Sequence, residues 1–407
     1  MPVRLDAGGL GSLRRLAAGG QGEVFLAPAL RMQYASSLVF KRYLPGVVGS
    51  LDVGVLESMP GYLESLPFAD GMELLSLAAW PCRLVEDGGR VAGFVMPAIP
   101  DAFHVQMRKS SGPSRELAEF QHLLNDESFL ARRQIALSDR RRYELLREAA
   151  RALGVFDRHG IAVGDLSPKN MLFAFAPQPA VYFIDCDAMR FQGRSVTPQM
   201  ETPGWEVRAV NPGEELATAA SDSYKLGLLA LRLLAGSQDT RDPSRLPRSV
   251  PADVRKLVTT ALSTSPAARP APADWITPLG AAIATASTQM PKLPGASPIV
   301  PSAVMAAKIT PARMQPAQVR SGQQSPPAGT SPQPSPASSR KAPTLGIAIS
   351  VAYIVGPFLV MYVVLGGHTS GTLNGFLPNI LAIACFIWLV SSFYAIPRII
   401  RHFRLSR

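Results

Sequence analysis

Cysteine is scarce: the 407-residue chain has three, Cys82, Cys186 and Cys385, far apart and in no paired spacing. That excludes a disulfide-stapled scaffold and a zinc site of the paired-cysteine kind, and it suits a reducing cytoplasm. Acidic residues are missing from the C-terminal third, the last being Asp274. Ten of the 41 Lys and Arg lie beyond it, so residues 1–274 hold 31 basic against 30 acidic side chains, and the net charge of +11 belongs to the tail. Nucleic-acid binding would need those cations gathered on a folded face. They flank apolar segments instead, so no nucleic-acid partner is expected. The N-terminal MPVRLDAGGLGS has no apolar run after a basic start, and a cleavable signal peptide is not expected. There is no internal repeat.

To about residue 100 the chain consists of short β-type runs around glycines: LRRLAAGG, GEVFLA, SSLVFKRY, CRLVED and VAGFVM. This pattern predicts a small, mostly antiparallel β-rich lobe. Within it, residues 52–79 carry Leu56, Met59, Leu63, Leu66, Leu74, Leu75 and Leu77 at helical spacing, with Pro60 and Pro67 interrupting any single long helix. RRRYELLREAARALGVFDRHG and SDSYKLGLLALRLLAG are helical in period and end in glycine, as helices commonly do. The larger, following part is expected to be α-rich, making an α+β chain of two lobes.

Residues 284–343 read as a Pro/Ser/Ala-rich linker; twelve prolines and no acidic residue fall in 287–343. Such a composition buries too little apolar surface to offset the entropy of ordering. After Lys341, TLGIAISVAYIVGPFLVMYVVLGG and TLNGFLPNILAIACFIWLVSSFYAIP carry no charge. At about 1.5 Å per residue each is long enough to cross a hydrocarbon core of about 30 Å. Spans are expected at 344–366 and 374–396, joined by a short external loop at 367–373 and followed by a basic tail at 397–407. Arg340 and Lys341 precede the pair and Arg398, Arg401, Arg404 and Arg407 follow it, whereas the turn between has no Lys or Arg. By the positive-inside rule both flanks are cytoplasmic.

Chemistry is concentrated in three places. Ala17-x-Gly19-Gly20-Gln21-Gly22-Glu23-Val24 is a Gly-rich turn between two predicted strands, where absent Cβ atoms let backbone N–H groups approach phosphate oxygens. Lys41 ends the apolar run SSLVF nineteen residues past Gly22, a placement from which a lysine reaches nucleotide phosphates. Such a lysine needs a carboxylate from a helix; Glu64 and Glu57 are the candidates, Glu64 the preferred one. Lastly, Gly164-Asp165-Leu-Ser-Pro-Lys169-Asn170 is followed by Val181-Tyr-Phe-Ile-Asp185-Cys-Asp187. An Asp and an Asn five apart on a tight loop, then an apolar strand ending in Asp, supply one base and two oxygen ligands for magnesium.

Over roughly residues 10–280 these motifs resemble the Hanks-type bacterial serine/threonine protein kinases. Asp222-Ser-Tyr-Lys-Leu-Gly227 is similar to the family's buried Asp-x-x-x-x-Gly helix, and Ser265-Pro-x-x-Arg269-Pro270 to its closing Arg motif. The resemblance implies a protein kinase-like domain at 1–283 that uses ATP and Mg2+ to phosphorylate a protein hydroxyl. Asp165 would orient the substrate hydroxyl and Lys169 contact the γ-phosphate. Asn170 and Asp185 would hold magnesium. Gly19, Gly20, Gly22, Val24 and Lys41 would enclose the phosphates, with Met96 and Ala98 at the adenine hinge. The activation segment would run from Asp185 to about Glu206, through Thr197 and Thr202. The spans would then make it a multi-pass protein of a bacterial inner membrane, with the kinase domain and C-terminus cytoplasmic.

The pattern departs from the family at several positions. Val163-Gly164 stands where His-Arg precedes the catalytic Asp, so no arginine is in place to pair with a phosphorylated segment. Ser167 stands where a lysine is usual, with Lys169 two residues on, which leaves the hydroxyl preference open. Cys186-Asp187 replaces Phe-Gly, and Asp187 is a second carboxylate near the metal positions. No Ala-Pro-Glu closes the segment, Glu206 being the nearest substitute. Gly-Asp-Leu-x-x-x-x-Asn with Ile-Asp-x-Asp is similar also to small-molecule phosphotransferases of the aminoglycoside and choline kinase type. A non-enzymatic alternative is a membrane-tethered pseudokinase.

Overall fold

The computed structural model describes residues 4–33, 35, 37–109, 112–208 and 214–289. The expected linker beyond 289, both expected spans and the basic tail lie outside them. Among the described residues no helix is long and apolar enough to cross a membrane.

The chain is mixed α/β. Its N-terminal region forms a six-stranded sheet from β1 (Arg4–Asp6), β2 (Arg14–Ala18), β3 (Gly22–Leu26), β4 (Leu38–Tyr43), β5 (Arg83–Asp87) and β6 (Arg90–Pro97), in the order β1-β5-β6-β4-β3-β2. Every pairing is antiparallel except the parallel β1–β5 pair. Alternation sets the two faces of β4. Leu38 and Phe40 pack with Leu10, Val85 and Val95 on one side. Val39 and Tyr43 join Phe94 and Met96 in the main core on the other, so Lys41, two residues from each, is carried on that same face.

Between β4 and β5 lie a single turn, α1 (Pro45–Val48), then α2 (Val53–Ser65) and α3 (Phe68–Leu77). The two prolines expected to interrupt this stretch behave differently. α2 runs through Pro60, capped at its start by the Asp52 carboxylate accepting from the Val55 N–H. The break comes at Leu66 and Pro67, where the residue before a proline is driven into the extended region.

Beyond β6 come the hairpin β7 (His104–Lys109) and β8 (Gly112–Leu117), then α4 (Glu127–Arg133) and the long α5 (Asp139–Arg158). α5 is capped by Ser138 and ends two residues before Gly160, which has φ +67°. Its apolar face buries Leu145, Leu146, Ala149, Leu153 and Phe156. Short strands β9 (Ile161–Ala162), β10 (Met171–Ala174), β11 (Ala180–Phe183), β12 (Arg190–Phe191) and β13 (Arg194–Ser195) follow, then α6 (Ala219–Ala235), α7 (Ala252–Ala261) and α8 (Ile276–Thr285). α6 is buried on every side from Ser221 to Leu234, the signature of a core helix.

Candidate active site

The loop 163–170 leaves β9 and returns through β10, the tight connection on which an acid and an amide five residues apart come together. Asp165 Oδ2 accepts from Asn170 Nδ2 at 2.9 Å and from the Thr202 hydroxyl at 3.0 Å, and Oδ1 accepts from the Thr202 N–H at 3.0 Å. The Asn170 carbonyl accepts from the Ile184 N–H at 2.9 Å, which ties the loop to the residue before Asp185. Asp185 has φ 56° and ψ 40°, a left-handed conformation that costs a non-glycine residue of order 1 kcal/mol or more and clusters at functional sites. Half of its side chain is exposed, and it stands 3.3 Å from Lys41 Nζ.

Lys41 is buried, with its ammonium donating to both oxygens of Asp187 at 2.7 and 2.9 Å. The Tyr43 hydroxyl donates to Asp187 Oδ2 at 2.8 Å. Burial alone would pull the Lys41 pKa down, but the carboxylates of Asp187 and then Asp185 outweigh it, and the net direction is up. Tyr43 is also pushed up, by burial first and then by the Asp187 charge. Neither helix carboxylate meets the lysine. Glu64 lies 3.8 Å from Arg83, and Glu57 forms a bidentate pair with Arg4 at 2.7 and 2.8 Å. The expected Glu64–Lys41 pair is therefore replaced by Asp187–Lys41. The reason is register: Lys41 and Tyr43 are two apart on β4, so both project toward the turn that follows β11.

The Gly-rich turn closes β2 and β3, with the Gly19 N–H donating to the Gly22 carbonyl at 2.8 Å. Gly22 is required by packing, since a Cβ there would lie 2.4 Å from the Arg42 carbonyl oxygen on β4. Gly19 and Gly20 are different: a Cβ at either would meet nothing within 4 Å. Val24 pairs with Lys41 across β3 and β4, and Val39 with Met96 across β4 and β6. Met96 is 9% exposed within the core, and the Ala98 N–H is taken by the Ser37 carbonyl at 3.0 Å. Lys169 is exposed and lines a concavity of about 530 Å³ together with Gln121, Thr202, Trp205, Arg232 and Arg241. A larger concavity of about 1030 Å³, lined by Arg108, Lys109, Phe129 and Arg133 among others, contains none of the expected site residues.

The loop is anchored from α6. The Asp222 carboxylate accepts from the N–H groups of Val163 at 2.6 Å and Gly164 at 2.9 Å, and Lys225 Nζ donates to the Gly164 carbonyl at 2.6 Å. Burial pushes Asp222 up to about 6, against the opposing pull of those two N–H donors. Gly164 has φ +69°, and a Cβ on it would meet Gln199 Oε1 at 2.5 Å and Ala217 Cβ at 2.7 Å; no side chain fits at this position. Lys225 also pairs with Glu201 at 2.8 Å, fastening the segment that carries Thr202. The closing Arg269 grips Glu214 at 2.6 and 2.8 Å. Glu206, the substitute considered from sequence, instead pairs with Arg241 at 2.7 Å.

Sequence reasoning did not find Tyr43, Glu201, Glu214 or Lys225, nor the role of Asp187. Two were open to periodicity: Tyr43 is two from Lys41 on a strand, and Lys225 is three from Asp222 on a helix. Glu201 and Glu214 lie in irregular chain, where spacing carries no such signal. The thiols are inert by burial, Cys82 pushed up to about 12 and Cys186 well above its ordinary value. Among the described residues no group of three or more His, Cys, Asp or Glu is placed to hold a metal. Magnesium that arrives with a triphosphate does not need one, because it takes one or two carboxylates and fills its shell with phosphate oxygens and water. Compared with protein-family models and with curated proteins, the chain matches none.

Proposed function

We propose that the chain is an ATP-dependent phosphotransferase of the protein-kinase type, with a nucleotide bound between a β-rich lobe and an α-rich lobe and a protein hydroxyl as acceptor. The observation that carries this reading is the convergence of Lys41 and Asp185 at 3.3 Å, with Asp185 tied through Ile184 and Asn170 to Asp165. Residues from separate parts of the chain supply a phosphate cation, a half-exposed carboxylate, an amide and an acceptor for a hydroxyl proton. Phosphoryl transfer needs little covalent chemistry from a protein; positioning and charge neutralisation lower the barrier.

Asp165 is held by three donors from Thr202 and Asn170, an orientation suited to accepting a hydrogen bond from an incoming hydroxyl. Magnesium, when bound, would neutralise charge on the phosphates, and Asn170 and Asp185 would hold it. Gly19 and Gly20 support the same reading, since no protein contact requires the absence of a side chain at either. The apolar segments 344–366 and 374–396, with arginines outside both ends, support a membrane hairpin that leaves the catalytic region and the C-terminus in the cytoplasm.

Radiolabelled ATP offered to the full-length chain with generic protein substrates tests the assignment. Wild type is expected to transfer label and Asp165→Asn to lose transfer; equal labelling by both would overturn it. Transfer to amino-alcohols or aminoglycosides instead of protein would make the chain a small-molecule kinase. Nucleotide binding with no transfer to any acceptor would make it a pseudokinase.

A further inference from the structure

A lysine that grips a triphosphate must be held by a fixed opposite charge, and in protein kinases a helix carboxylate that can swing away makes that pairing a point of control. In this chain the carboxylates of α2 are engaged elsewhere, Glu64 near Arg83 and Glu57 on Arg4. The nearer charge beside Lys41 comes from Asp187, at 2.7 and 2.9 Å, two residues beyond Asp185 in the turn that follows β11; Asp185 itself stands at 3.3 Å and is half exposed. Asp187 is 1% exposed and Lys41 4%. Three contacts fix the arrangement: both Asp187 oxygens accept from Lys41 Nζ, and Oδ2 accepts also from the Tyr43 hydroxyl. The Lys41 ammonium lies 5.9 Å from the centre of the Tyr43 ring and 5.7 Å from that of Phe94.

We propose that Asp187 is the positioning residue for Lys41, with Tyr43 holding Asp187 in turn, and that α2 has no part in that grip. This rests on the phosphotransferase reading. One turn then sets both the lysine and the metal-binding carboxylate, Asp185. α2 is secured independently: Asp52 pairs with Arg194 at 2.9 Å, the Met59 carbonyl accepts from the Trp80 indole at 3.0 Å, and the Tyr62 hydroxyl meets His159 Nδ1 at 2.7 Å. Displacing α2 therefore has no direct lever on Lys41, and the phosphate grip is preset.

The test uses the full-length chain and the variants Asp187→Asn, Tyr43→Phe and Glu64→Gln, with two readouts. One is the split between KM for ATP and kcat in phosphoryl transfer. The other needs no nucleotide: the rate at which a small acylating ester modifies Lys41, located by peptide mass spectrometry. Asp187→Asn is expected to raise the ATP KM about tenfold or more, the scale of a lost charge-assisted contact, and to speed Lys41 acylation severalfold. Tyr43→Phe should move both in the same direction by a smaller factor, and Glu64→Gln, whose partner Arg83 lies 3.8 Å away and does not touch Lys41, should leave both within about twofold. If Asp187→Asn does not fold, Tyr43→Phe carries the test. Unchanged values in Tyr43→Phe together with a shift in Glu64→Gln would overturn the proposal. If wild type binds no ATP while acylation still singles out Asp187, the phosphotransferase reading falls and the positioning of Lys41 stands. If acylation responds to Glu64 and not to Asp187, the positioning falls whatever the activity.

Discussion

The Gly-rich turn separates two reasons for having no side chain, and alanine substitutions pull them apart. At Gly22 the added methyl would sit 2.4 Å from the Arg42 carbonyl oxygen. That neighbour is backbone of the paired strand and has no rotamer through which to escape. β3 and β4 must therefore separate locally or twist, at a cost typical of overpacking, about 1–3 kcal/mol. The same pair of strands brings Gly22 opposite Tyr43 and Val24 opposite Lys41, so the distortion reaches Lys41 as well. At Gly19 and Gly20 nothing lies within 4 Å of the added methyl, and neither residue has a positive φ. Gly19→Ala/Gly20→Ala should thus leave stability within about 0.5 kcal/mol or raise it slightly, by restricting the unfolded chain. If the two glycines are there to let a triphosphate approach the backbone, the same double variant should weaken nucleotide binding by about 1–3 kcal/mol, roughly fivefold to a hundredfold, the scale of one or two hydrogen bonds to a charged group. Urea unfolding of the full-length chain followed by tryptophan fluorescence reads the first quantity, and calorimetric titration with ATP and magnesium the second. Wild-type ATP affinity in the double variant, or wild-type stability in Gly22→Ala, would refute the reasoning.

Three further outcomes follow from contacts around the same site. Thr202→Val keeps the shape but removes the hydroxyl that donates to Asp165 at 3.0 Å; kcat should fall about tenfold or more with stability changed by about 1 kcal/mol, and Thr202→Ser should restore it, as steady-state kinetics will show. Arg269→Met strands the Glu214 carboxylate and the carbonyls of Ser263 and Ala220, and urea unfolding should register a loss of about 3–5 kcal/mol that the double variant Arg269→Met/Glu214→Leu partly recovers. Asp222, raised from 3.8 to about 6 by burial, binds a proton in the folded chain that the unfolded chain releases. Its contribution to stability is therefore fully present below about pH 4 and lost as pH rises through about 6. The difference is worth about 3 kcal/mol, visible when the pH dependence of unfolding in Asp222→Asn is subtracted from that of wild type.

How much of this was legible in the sequence depended on the kind of signal each residue carries. Short β-type runs and glycine stops located β2 to β6, α5 and α6, because composition, period and punctuation are local properties, whereas β1, three residues long, was not read as a strand. The Asp165–Asn170 pair was legible for the same reason, both lying on one short loop. The partner of Lys41 was not. Glu64 and Asp187 lie 23 and 146 positions from the lysine, and sequence favours the nearer only through analogy. What decides is that β4 turns Lys41 and Tyr43 to the same face, and that the residue two after Asp185 is buried there. The Pro60 stop failed similarly: a proline disfavours a helix interior by about 3 kcal/mol, yet Val55, Leu56, Met59 and Leu63 are buried on the helix that contains it, and tertiary burial outweighed propensity.

The charges buried on α6 belong to one design. Asp222, Lys225 and Arg232 are each at most 5% exposed, and each is committed to the backbone of a loop. Asp222 takes the N–H groups of Val163 and Gly164, Lys225 the Gly164 carbonyl, and Arg232 the carbonyls of Gly204 and Thr240. Apolar residues of similar volume would make a helix as stable or more so, because desolvating an ion costs several kcal/mol that pairing only partly returns. Such residues could not fix the positions of two irregular segments. The gain is geometric: Asp222 and Lys225 hold the residue next to Asp165 from both its N–H and its carbonyl, while Glu201 and Gly204, held by Lys225 and Arg232, bracket Thr202. Asp165 thus receives its orientation from a helix that never touches it, and loosening any one of the three anchors should lower the transfer rate more than nucleotide affinity.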